Sequence, residues 1–225
     1  MKLIYIYIVA VLMLSSTIAL AQGKERGRSS FGIIGGVNLQ NLNGKDIEGT
    51  TLENDMIVGY HIGVNMQIPI APDFYIQPGL LFTTKGAKNT TGGITSTYNI
   101  SYAELPLNFM YKGMVGKGYI MLGAGPYLGY GVAGKTRIEG GPETIETDIE
   151  FTNVVEPGDP FTTTFFKALD AGANIFAGYE MAGGLFLQLN AQLGLLEINP
   201  EDQRLSSDAS VIKNTGFGLS IGYRF

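Results

Sequence analysis

His61 is the only histidine of the chain, and no cysteine accompanies it. An imidazole can act as a catalytic base when a hydroxyl nucleophile and an orienting partner lie within hydrogen-bonding reach. Ser101 and Ser220 are the candidate nucleophiles, but neither stands in a nucleophile motif. His61 therefore reads as a hydrogen-bonded interior histidine rather than as a base. Glu104 with Lys85 or Arg224 could serve a proton or ligand path, and reads instead as an interior salt bridge. The acidic stretch 133–166 holds many carboxylates, yet it has neither EF-hand spacing nor an Asp-x-Asp run. It reads as a solvated surface loop available for partner contact. Gly123-x-Gly125 lies inside a strand pattern, without the following helix that phosphate binding requires. No catalytic residue, cofactor site or metal site follows from these motifs.

Composition narrows the classes further. Lys2, the apolar run Leu3–Leu14 and Ala19-Leu20-Ala21 form a secretory signal, with cleavage after Ala21. Residues 22–30 would be a short periplasmic segment and 31–225 the folded domain. Removing Lys2 from the 15 basic residues, and setting the rest against 20 acidic ones, leaves a formal charge of −6. That balance excludes nucleic acid as a partner, because phosphate binding needs a concentrated basic surface. The absence of cysteine removes disulfides and thiol chemistry.

The elements that would carry these side chains have a period of two. Phe217, Leu219, Ile221, Tyr223 and Phe225 alternate with Gly216, Gly218, Ser220, Gly222 and Arg224. Such alternation sends the two sets to opposite faces of a sheet. Seven earlier segments repeat it, around Phe31–Leu39, Tyr60–Ile68, Phe74–Lys85, Tyr102–Tyr111, Tyr119–Val132, Leu169–Glu180 and Leu185–Leu195. Three connections are tight, at 71–73, 112–117 and 182–184, and four are long, at 40–58, 86–96, 133–166 and 196–214. Short turns at one end and long loops at the other are the wiring of outer-membrane barrels. The expected fold is all-β: an eight-stranded, antiparallel, up-and-down transmembrane barrel. Pro78 and Pro126 each remove a ladder donor and predict local irregularity.

A soluble barrel would put its polar face in water. Here the polar face is rich in Gly, Asn, Gln and Ser, while charge concentrates in the loops. The apolar face is therefore assigned to outer-membrane lipid, with Phe74, Phe109, Tyr111, Tyr130, Tyr179, Tyr223 and Phe225 at its borders. The inward set then contains His61, Lys85, Glu104, Asp170, Glu180 and Arg224 as a candidate polar network. Charges inside so narrow a barrel must be paired or wet, which predicts carboxylate–cation pairs and argues against an open pore.

Several ordered motifs carry a family resemblance. They are Gly35-Gly36-Val37-Asn38-Leu39, Gly59-Tyr60-His61-Ile62-Gly63, Ile76-Gln77-Pro78-Gly79-Leu80-Leu81-Phe82 and Thr84-Lys85-Gly86-Ala87. They continue with Tyr102-Ala103-Glu104-Leu105-Pro106-Leu107, then Gly123-Ala124-Gly125-Pro126-Tyr127-Leu128-Gly129, and close with Gly218–Phe225. The chain resembles the PorT-like outer-membrane β-barrel family of the Bacteroidetes over about Phe31 to Phe225. Gly79 departs from the acidic residue common before Leu80. The resemblance implies location in the cell outer membrane and the fold. The family's namesake is linked to type IX secretion, though most members have no assigned activity.

The reading is thus a non-enzymatic envelope protein that anchors and displays outer loops, with envelope or type IX secretion proteins as candidate partners. Porin-like passive transport of small solutes is the alternative, and a lipid-modifying barrel enzyme a third. Tyr223 and Phe225 resemble the C-terminal aromatic signal read by the barrel-assembly machinery.

Overall fold

The structure is a computed structural model describing residues 28–141, 143–205 and 207–225. The expected signal 1–21, and 22–27 of the segment after it, lie outside the described residues. Twelve strands follow in order: β1 Ser30–Lys45, β2 Ile57–Ala71, β3 Phe74–Thr91, β4 Ile94–Val115, β5 Gly118–Glu139, β6 Ile145–Phe151, β7 Val154–Val155, β8 Thr164–Phe166, β9 Leu169–Met181, β10 Leu185–Gly194, β11 Glu201–Asp202 and β12 Val211–Arg224.

Eight of them close a ring, β1-β2-β3-β4-β5-β9-β10-β12 and back to β1, with every pairing antiparallel. The seam runs from Gly32 opposite Arg224 to Lys45 opposite Val211. Closure is a necessity in hydrocarbon, where no water can satisfy the N–H and C=O groups of an open edge.

Alternation survives folding and decides which side faces what. Phe31, Ile33, Val37 and Leu39 are exposed on the outer surface, while Asn38 and Gln40 between and beyond them are buried. On β2, Val58 and Ile62 remain 73% and 62% exposed, whereas His61, Asn65 and Gln67 are buried. An apolar exterior around a polar interior is the inverse of a soluble barrel. It fits a lipid-facing wall. Aromatic side chains cluster toward the turn end, where Phe74 stacks on Phe109 at 5.4 Å and Tyr223 meets Phe225 edge-on at 5.0 Å. Tyr60 and Phe82, at 6.1 Å, form a second cluster toward the loops.

The connections depart from expectation in three places. Residues 86–96 are not a long loop: β3 and β4 stay paired up to Thr91 and Ile94, joined only by Gly92 and Gly93. Both glycines have positive φ, 59° and 83°, which is the backbone a two-residue hairpin requires. The 112–117 connection shortens likewise to Gly116 and Lys117, so Lys112 belongs to β4. The 133–166 segment is folded rather than wholly solvated. β5 runs on to Glu139, β6 pairs back on it, and β8 adds in parallel to β6. The apolar residues among its charges, Ile149 and Phe166, are buried with Leu42, Ala87, Ile100, Tyr102 and Ile198 over the barrel mouth. Lys167 N–H donates to Ile198 C=O at 2.7 Å, tying this cap to the 195–210 connection.

The prolines interrupt the pairing locally, as expected, without shifting it. Register is unbroken across Pro78 and Pro126, because proline's φ fits an extended strand and costs only a local donor. The true shifts fall at Pro69/Ala71 and opposite Ser101/Tyr102.

Candidate functional site

The lumen is organised in three tiers, and strand position sets the height of each. Toward the loops, Lys85 of β3 is fully buried and reaches across the barrel. Its Nζ lies 2.7 Å from Glu104 Oε2 and 3.0 Å from Asp170 Oδ2. The ammonium also sits 4.1 Å from the centroid of the Tyr127 ring, a favourable place for a desolvated cation. Asn214 Nδ2 donates to Asp170 at 3.0 Å, and Gln192 Nε2 to Glu104 Oε1 at 2.7 Å.

In the middle, His61 Nδ1 is 2.5 Å from Asn38 Oδ1, and His61 Nε2 is 2.8 Å from Ser220 Oγ. Asn38 Nδ2 donates to Thr83 Oγ1 at 3.0 Å, which turns its oxygen toward the imidazole. A neutral His61 then carries its proton on Nδ1 and accepts from the Ser220 hydroxyl. Asn190 Nδ2 also donates to Ser220, at 2.8 Å. The order Ser–His–Asn has the outline of a relay. Yet Ser220 lies mid-strand between β1 and β10, with no turn or helix terminus to offer free N–H groups for an oxyanion. The other candidate serine, Ser101, stands three residues from Glu104 on β4 and so on the opposite face. Beside His61 lies a chamber of about 70 Å³, whose lining mixes Asn and Gln side chains with Ile34, Leu81 and Pro106.

Toward the turns, Lys112 Nζ donates to Glu180 Oε1 at 2.7 Å and to Gln67 Oε1 at 3.0 Å. Arg224 Nη1 donates to Asn65 Oδ1 at 2.5 Å, and its Nε stands 3.7 Å from Glu180 Oε2. An apolar layer of Ile34, Met110, Met121, Phe176 and Phe186 packs beside this tier, while Asn65, which also lines the chamber, links the two. Gly123 makes it fit: a Cβ there would come within 2.4 Å of the Phe176 ring.

The expected network residues thus fall into separate groups. Lys85, Glu104 and Asp170 come together, Glu180 and Arg224 meet at the other end, and His61 pairs with neutral partners. Arg224 does not meet Glu104. Sequence reasoning missed Lys112, placed in a turn, and Asn38, Asn214 and Gln192, which carry no charge to attract notice. Their even spacing from inward neighbours was the available signal. Among the described residues, no group of three or more His, Cys, Asp or Glu side chains could hold a metal.

A family model described as outer membrane protein beta-barrel domain matches residues 20–198. The chain belongs to this family. For an outer-membrane barrel, short turns face the periplasm and long loops the exterior. The Lys85 tier therefore lies on the extracellular side and the Arg224 tier on the periplasmic side. No curated protein matches the chain. Among solved structures, Ail, the attachment invasion locus protein of Yersinia pestis, is 10% identical with a TM-score of 0.41, covering 88% of this chain and all of Ail. An outer membrane channel from Pseudomonas putida F1 is 8% identical with a TM-score of 0.31, covering 90% of this chain and 98% of that one. The barrel family, together with the exposed apolar wall, places the protein in the outer membrane.

Proposed function

We propose that this outer-membrane barrel is a non-enzymatic anchor of the PorT-like kind, exported with cleavage after Ala21 and inserted by the barrel-assembly machinery. Its function is to hold the extended β3–β4 and β5–β6 hairpins above the membrane for envelope partners, those of type IX secretion included. The observation that carries this reading is the filled lumen. A buried ion-paired tier, a small chamber and an apolar layer occupy the interior, leaving side chains rather than a channel.

Purified, heat-modifiable protein in planar bilayers tests it: the anchor predicts no discrete conductance, whereas porin-like passage of small solutes predicts reproducible steps. The partner assignment is tested separately, by deleting the gene and scoring type IX cargo at the cell surface. Unchanged cargo removes the secretion role and leaves the anchor intact.

A further inference from the structure

Strand β6 has a neighbour on both sides for only part of its length. Residues 145–148 pair with 135–138 of β5, whereas β8 lines the far side of residues 149–151 alone. Among the described residues, no strand or loop backbone pairs with the far edge of 145–147. Every second residue of such an edge turns its N–H and C=O outward, where another chain can reach them.

The two faces of this edge differ in chemistry. Glu146, Asp148 and Glu150 stand on one face, and Ile145, Thr147, Ile149 and Phe151 on the other. Lys135 and Arg137 of β5 lie beside the acidic face, but Lys135 binds Glu146 and Arg137 binds Glu139. Among the described residues, Asp148 and Glu150 have no cation within ion-pair distance. On the other face Ile145 is 55% exposed, with Ile138 of β5 directly opposite. Ile138 pairs in turn with Ser96, two residues from Ile94 of β4, which is 52% exposed on the same face.

Open edges are commonly blunted by lysine, proline or a bulge. Residues 145–148 carry none of these. Their carboxylates do oppose one pairing. A second copy added β6 to β6 with its faces aligned would set acidic side chains opposite acidic ones, which is destabilising.

We propose that Ile145–Asp148 is a strand-addition site for an extended segment of a partner protein in which basic and apolar residues alternate. The partner's backbone completes the ladder of β6, and its lysines or arginines lie opposite Glu146 and Asp148, within diagonal reach of Glu150. Its apolar side chains extend the patch of Ile94, Ile138 and Ile145. The proposal rests on the reading that the β5–β6 hairpin is presented outside the membrane, and it names how a partner is held there.

The probe is a fluorescent eight-residue peptide of alternating lysine and valine, titrated against the refolded barrel in non-ionic detergent and read by anisotropy. Its counterparts are a glutamate–valine peptide and the lysine–valine peptide with every backbone amide N-methylated. The unmodified lysine–valine peptide should bind about tenfold more tightly than either, the sum of a few cross-strand pairs. The surface double variant Asp148→Lys, Glu150→Lys should transfer the preference to the glutamate peptide. Ile145→Cys, in a chain without other cysteines, should form a disulfide with a cysteine-tipped lysine–valine peptide. Ala209→Cys, exposed on the 196–214 connection, should not. Equal binding of the three peptides, or a preference that the double variant leaves unchanged, would overturn the proposal. So would crosslinking at Ala209→Cys in place of Ile145→Cys. No binding at all would also overturn it, and would leave the acidic face as a guard against self-pairing. None of these failures alters the conductance result, whereas discrete conductance would remove the anchor and leave the edge site standing.

Discussion

Lys85 Nζ and Asp170 Oδ2 lie 3.0 Å apart although their strands, β3 and β9, are separated in the ring by β4 and β5. The contact therefore crosses the lumen, and with Glu104 it braces three strands at the extracellular end. Lys85→Met would leave two buried carboxylates without a cation. The expected loss is about 3–5 kcal/mol, the usual cost of breaking a buried pair by removing one partner. Urea midpoints of the refolded barrel check it. The triple variant Lys85→Met, Glu104→Gln, Asp170→Asn should recover much of the loss, since it removes the unpaired charge as well as the pair.

His61→Ala should lower stability by about 1–3 kcal/mol, because it strands Asn38 Oδ1 and a Ser220 hydroxyl in the interior. The same variant should leave the lipid composition of the outer membrane unchanged. A shifted lipid profile at normal barrel level would count against the non-enzymatic reading.

Phe225 is 71% exposed, and its structural tie is a backbone one, from its N–H to Phe31 C=O at 2.8 Å. Phe225→Ser spares that bond and removes the aromatic tip. Refolding of the purified protein in detergent should be nearly unaffected, while the amount reaching the outer membrane should fall. Equal levels of variant and parent in the membrane fraction would reject the assembly signal.

Gly123→Ala places a methyl group where the Phe176 ring now lies. Overpacking of this kind costs about 1–3 kcal/mol. Adding Phe176→Leu should return part of it, a non-additivity that a double-mutant cycle measures directly.

Much of the wall was legible before folding. Period-two alternation is a local property, since each residue's face follows from its parity along the strand. Where lipid lies outside and polar groups inside, the contrast is written into every second residue, as in Phe217–Phe225. Above the membrane that contrast fades. Thr90, Thr91, Thr95 and Thr97 are compatible with either face, so β3 and β4 resembled a loop although their ladder continues to the Gly92-Gly93 turn. That dipeptide was the overlooked signal.

The sequence by itself determined the fold class, the number of strands in the barrel ring, the lipid-facing side and the inward position of His61, Lys85, Glu104, Asp170, Glu180 and Arg224. Only the tertiary structure decided which of them meet. Partners across a lumen depend on how the closed ring staggers its strands, a global quantity to which residues 85 and 170 contribute nothing locally. Arg224 shows the consequence: its parity assigned it to the interior, but stagger carried it to the periplasmic end beside Glu180 and away from Glu104. The closure of the barrel mouth by Ile149, Phe166 and Ile198 was likewise decided in three dimensions, because those residues come from segments that meet only after the ring has formed.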